Sequence, residues 1–145
     1  MAAIALALVA LVALAAVGCG QGSGIVIDHA EFHPPLGSSG IGAAYFNVTS
    51  SKADRIVAVS SSEAASIEIH ASVTTDGQVV MKHLETLDLP ADRPVVFAPG
   101  GMHLMVFSPK KIAAESGFPI TFQFESGLKE TVSFKQVEYR AEHRN

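Results

Sequence analysis

The sequence has little sulfur chemistry and little positive charge. Cys19 is the only cysteine in 145 residues, so no intrachain disulfide can form and no pair of thiolates can hold a metal. Tryptophan is absent, and no Lys or Arg occurs before Lys52. The ten basic residues are scattered and the formal net charge is −4. No basic stripe results, which argues against nucleic acid as a partner. No Gly-x-Ser-x-Gly occurs, and no acidic pair stands out near a histidine, which disfavours a hydrolase. Beyond residue 18 no periodic segment of helical length is found, so helical bundles and α/β folds are not expected.

What is present begins with "MAAIALALVALVALAAV", residues 1–17, followed by "GCGQGSG". The run is short for a membrane-spanning helix, and its small-residue ending reads as a secretory signal, although the usual positive n-region is missing. "LAAVGC" resembles a bacterial lipoprotein signal, in which the cysteine is lipidated and becomes the mature N-terminus; Ala16 stands where Leu is usual. The plain alternative is cleavage after Ala15 or Gly18. The organisation expected is a signal segment at 1–18, a flexible tether at 19–24, one folded domain at 25–140 and a polar tail at 141–145. Removal of the signal leaves 127 residues, enough for one sandwich or barrel with its own core.

The folded part reads as short strands separated by turn chemistry. "GIVIDHAEF" ends at the breaker "PPLGSSG", and "IGAAYFNVTS" and "DRIVAVSS" follow. "AASIEIHASV" alternates, with Ile67 and Ile69 on one face and Glu68 and His70 on the other. Asp76-Gly77 is a hairpin signal, because Gly tolerates positive φ, and "QVVMKHLETL" returns. "PADRPVVFAPGG" and "MHLMVFS" are the next strands, and "PKKIAAESGF" is a loop with at most one helical turn. "PITFQFES" and "KETVSFKQVEY" alternate and are expected to pair across Gly127. An all-β antiparallel sandwich or barrel is the architecture this predicts.

Four soft side chains stand at one spacing. His70 is followed by ten residues and Met81, then by twenty-one residues and His103, with Met105 two further on. His103 and Met105 share a strand face, since side chains alternate with period two, and Met102 points to the opposite, core side. His70 and Met81 flank the Asp76-Gly77 hairpin, so their strands are neighbours. Thioethers select Cu(I) over Zn, Mg or Ca, and imidazole adds affinity without charge. A His/Met set also avoids the disulfide hazard that thiolates face in an oxidising compartment.

The spacing H-x10-M-x21-H-x-M resembles the signature of the periplasmic copper chaperones called PCu(A)C. "GAAYFNV", "ADRIVAVSS", "IEIHASV", "DGQVVMK", "PGGMHLMVF" and "ITFQFESG" follow the order of that family, so the likeness covers most of residues 25–138. It implies a cupredoxin-like Greek-key β-sandwich without enzymatic activity. It further implies one shallow Cu(I) site made by His70, Met81, His103 and Met105. Delivery to the binuclear copper A centre of cytochrome c oxidase, in subunit II, is implied too, with a thiol-dependent assembly factor as a further partner. The membrane is expected as a partner only through a lipid anchor at Cys19. Where the family has a different segment before its first Pro-rich turn, this chain reads "AEFHPP", and no His/Met-rich C-terminal stretch suggests a second copper site.

Each residue alone has a plainer reading. Met105 would pack, since methionine fills irregular gaps, and His70 would be a solvated strand histidine; only the joint spacing favours copper. His83 shares the face of Met81, as a supporting or competing donor. His29 and His33 are expected to face solvent, with a weak Cu(II) contact as the minor reading, and His143 belongs to the tail. Lys110-Lys111 reads as a solvated loop, and Tyr45 and Phe46 as core. An electron-transfer cupredoxin fails on one residue, because blue-copper sites need a cysteine ligand and Cys19 lies at the anchor. The rivals left are a metal-free interaction sandwich of the cell envelope and a general copper-tolerance carrier.

Overall fold

The computed structural model describes residues 23–137; the signal segment, Cys19, most of the tether, His143 and the tail lie outside the described residues. Among the described residues ten strands form: β1 (Ile25–His33), β2 (Ile41–Ser50), β3 (Asp54–Ser60), β4 (Ser66–Thr75) and β5 (Gln78–Leu84). They continue with β6 (Leu87–Leu89), β7 (Val95–Phe97), β8 (Met102–Phe107), β9 (Phe118–Phe124) and β10 (Lys129–Gln136). One 3-10 turn, Ala114–Ser116, lies in the expected loop. No helix of the described residues is long and apolar enough to cross a membrane.

The strands run in the order β5-β4-β8-β7-β2-β1-β10-β9-β3-β6, with β8 also pairing β2. Strand β1 pairs β2 on one side and β10 on the other, and so joins a front layer (β5, β4, β8, β7, β2) to a back layer (β10, β9, β3, β6). The expected β-sandwich is what the chain forms. Two of its ladders are parallel rather than antiparallel, β1 with β10 and β7 with β8.

Alternation builds the core. In β2, Gly42, Ala44, Phe46, Val48 and Ser50 point inward while Ala43, Tyr45, Asn47 and Thr49 point outward. In β9 every second residue from Phe118 to Phe124 is buried. Seven of the eight phenylalanines are in the core, which compensates for the missing tryptophan. Each contributes roughly 1.5–3 kcal/mol through burial. Phe46 is central: its ring stacks on Phe97 at 4.1 Å and meets Phe122 at 5.2 Å and Phe134 at 5.5 Å. Tyr45, expected beside it in the core, is on the other face, because period two cannot turn adjacent residues the same way.

The hairpin joining β4 to β5 has a two-residue turn, closed by the Thr75–Gln78 pair, with Asp76 at φ 52° and Gly77 at φ 77°. Positive φ at both positions is the type I′ requirement. Strand β5 is an edge, solvent-exposed along almost its whole length.

Candidate metal centre

The outer face of β5, β4 and β8 carries the four predicted donors. Ladder register puts His70 of β4 directly opposite His103 of β8, and His83 of β5 directly opposite His70 on the other side. Three imidazoles therefore form one row across three strands, with ring centroids 5.5 Å apart for His83–His70 and 5.9 Å for His70–His103. Met105 lies opposite Glu68, one step to one side of the row. Met81 lies opposite Ser72, one step to the other side. In a flat ladder Met81 and Met105 would be two strand spacings apart and offset along the strands. In the folded chain both line the same shallow cavity of about 570 Å³, together with His103 and Ser72.

Strand parity works as expected in β8. Leu104 and Val106 are fully buried, and Met102 packs against the core. His103 is only 8% exposed although it faces outward. Its position depends on the turn before it. Pro99 and Gly100, with Gly100 at φ 81° and the Gly101 amide donating to the Ala98 carbonyl at 3.0 Å, carry the signature of a type II turn. The Gly101 carbonyl then accepts from the Ser72 amide at 3.1 Å and from His103 Nδ1 at 3.3 Å. A carbonyl can only accept, so Nδ1 of His103 carries the proton and Nε2 keeps its lone pair.

His70 is arranged in the complementary way. Its Nε2 lies 2.8 Å from Glu68 Oε2, and its Nδ1 is shielded from water with no hydrogen-bond partner. A carboxylate on Nε2 holds the proton there, leaving the Nδ1 lone pair unused. Buried polar atoms are normally satisfied, so this lone pair is open to a ligand. Fixing one ring nitrogen on a carboxylate or carbonyl is how histidines are held for metal binding. Both histidines of the predicted set meet that condition. Among the described residues no group of three or more His, Cys, Asp or Glu is placed to hold an ion.

One neighbour of the cavity was not legible locally. His33, expected to face solvent, is half-buried on the cavity wall and meets Tyr45 edge-on at 5.1 Å. It arrives through non-local pairing, His33 with Ala43 and Ala43 with Met105; the small Ala43 between larger side chains leaves the hollow. Glu68 could have been found, since it lies two residues before His70 on the same face.

His29 lies elsewhere, 80% exposed, at φ 51° in the bulge of β1 between Asp28 and Glu31. Asp28 accepts from Asn47 Nδ2 at 2.9 Å and lies 2.6 Å from His29 Nδ1. The hydrogen bond and charge of Asp28 raise the His29 pKa, and the hydrogen bonds from His29 and Asn47 lower that of Asp28. The His29 contribution to stability is present below the ordinary imidazole value, about 6.5, and is lost as pH rises through the raised one. The Asp28 contribution is present above its ordinary value and is lost as pH falls through its lowered one. An NMR titration should show His29 titrating above that ordinary value and returning towards it in Asp28→Asn. A His29 midpoint unmoved by that substitution would contradict the pairing.

Residues 25–136, more than three quarters of the chain, match the family described as "Putative lipoprotein LpqE-like". The chain belongs to the LpqE-like family. A relative named as a "Putative lipoprotein" of Leifsonia xyli subsp. xyli is 29% identical over 111 residues, 74% of this chain and 67% of the relative. Among solved structures, the copper-bound PCuAC domain from PmoF2 aligns with TM-score 0.64 and 23% identity, over 81% of this chain and 94% of that one. Apo-DR1885 from Deinococcus radiodurans aligns with TM-score 0.61 and 21% identity, over 96% of each chain. At such identities the likeness is one of fold: this LpqE-like chain has the cupredoxin-like sandwich of PCuAC domains. The resemblance read from its motifs has its counterpart there.

Proposed function

We propose that the protein is a non-enzymatic, extracytoplasmic Cu(I) carrier, anchored through Cys19 and the tether of residues 19–24. Copper is its cargo, held by the imidazoles of His70 and His103 and the thioethers of Met81 and Met105. The observation that carries the reading is the shielded, unpartnered Nδ1 of His70 directly across the ladder from His103. Both methionines on the cavity wall beside His103 support it. Neutral thioethers and imidazoles suit Cu(I), while Zn(II) would find only two of its preferred donors. None of the four donors carries charge when bound, and the absence of thiolate favours release over storage. That a domain of the same fold, from PmoF2, is copper-bound agrees with this cargo. The motif resemblance points to the copper A centre of cytochrome c oxidase subunit II as acceptor, with a thiol-dependent assembly factor alongside.

The test is an anaerobic competition between the protein and bicinchoninate for Cu(I), on a Cys19→Ser background that removes the only thiol. One tightly held equivalent is expected, with weakening in Met105→Leu. A chain that ignores Cu(I) but binds Zn(II) would overturn the proposal.

A further inference from the structure

The four-donor reading leaves the third imidazole of the row unused. His83 is exposed, directly opposite His70, and shares its strand face with Met81, two residues earlier. Around the central His70 the chain therefore places two His/Met pairs, Met81-x-His83 on β5 and His103-x-Met105 on β8. Neighbouring rings of the row are close enough to share one ion, while the outer two stand two strands apart. Two imidazoles sharing an ion through metal–nitrogen bonds of about 2 Å have centroids within about 6.5 Å. Each neighbouring pair meets that limit, at 5.5 and 5.9 Å. The outer two lie on opposite sides of β4, roughly 10 Å apart by strand spacing.

Exposure runs along the same direction. His83 is on the solvent-exposed edge strand, the His70 side chain is 14% exposed, and His103 is 8% exposed. Met81, 59% exposed, has the long unbranched side chain needed to accompany an ion between positions.

From this arrangement we infer that His83 is a transient copper ligand, forming with His70 and Met81 an outer station through which Cu(I) reaches and leaves the inner site. The inference rests on the Cu(I)-carrier reading above. In the transfer step the His83–copper bond breaks as bonds to His103 Nε2 and Met105 form, while His70 and Met81 remain bound. Copper stays Cu(I), the donors stay neutral, and no electron or proton moves. Exchanging ligands one at a time avoids a bare ion, so the outer station speeds transfer in both directions without setting the affinity of the inner site.

Stopped-flow exchange of Cu(I) between bicinchoninate and the full chain, with Cys19→Ser as the background, tests this. His83→Gln should slow loading and release at least tenfold, by the same factor, and leave the equilibrium affinity within threefold. Lys82→Gln, on the opposite face of the same strand, should change neither. Unchanged rates in His83→Gln would overturn the inference alone. So would a tenfold loss of affinity, which would make His83 a resident ligand. A parent chain that takes up no Cu(I) would overturn the carrier reading, and this inference with it.

Discussion

Replacing His103 by alanine should weaken Cu(I) binding by about 100-fold, or about 2.8 kcal/mol, and leave the sandwich folded. The ring sits at the end of the buried β8 run, with Nδ1 on the Gly101 carbonyl and Nε2 left to donate. Among the described residues the other imidazoles near the site are placed differently: His83 is on the far side of His70, and His33 is on β1, with β2 between it and β8. The structural cost is smaller. The Gly101 carbonyl keeps the Ser72 amide when the ring is removed, so no buried acceptor is orphaned. A loss of about 1 kcal/mol in unfolding free energy is expected, typical of one hydrogen bond. Competition titration and urea unfolding on the same samples separate the two effects. Met102→Leu serves as the control: Met102 packs against the core, and the exchange nearly conserves volume, so affinity should not change. Wild-type affinity in His103→Ala would remove His103 from the site.

The largest stability effect is expected at Phe46, where alanine should cost about 3–5 kcal/mol. The ring is 1% exposed and touches three other phenylalanines, from β7, β9 and β10. It therefore ties the front layer to the back. Removing it deletes the buried area and leaves a void that four β-strands, fixed by their ladders, can close only in part. A domain of this size has about 5–15 kcal/mol of net stability, so the loss is a large share of the total. Phe46→Leu keeps most of the volume and should cost under half as much. Equilibrium urea denaturation measures both, with an unchanged m-value showing that the unfolded state is the same. A cost below about 1 kcal/mol for the alanine variant would mean that this cluster is not the centre of the core.

How far the site could be read from the residues follows from the range of each signal. The parity of β8 and β4 was legible, because alternation is a property of a few consecutive residues: Leu104 and Val106 inward, His103 outward, Ile67 and Ile69 against Glu68 and His70. The hairpin was legible too, since Asp76-Gly77 suits positive φ at both turn positions. Of the two expected core residues only Phe46 is in the core, because Tyr45 shares its strand but not its face.

What the sequence determined by itself was therefore local: an all-β chain, the turn positions, the inward and outward alternation of β4 and β8, and the spacing of two histidines and two methionines. What only the tertiary structure decided was adjacency. It put β4 between β5 and β8, so that three histidines far apart in the chain became one row. It brought His33 to the cavity through β2, and left the Nδ1 of His70 without a partner. Strand order and curl minimise exposed apolar surface over the whole domain, a global quantity to which no short segment of sequence corresponds.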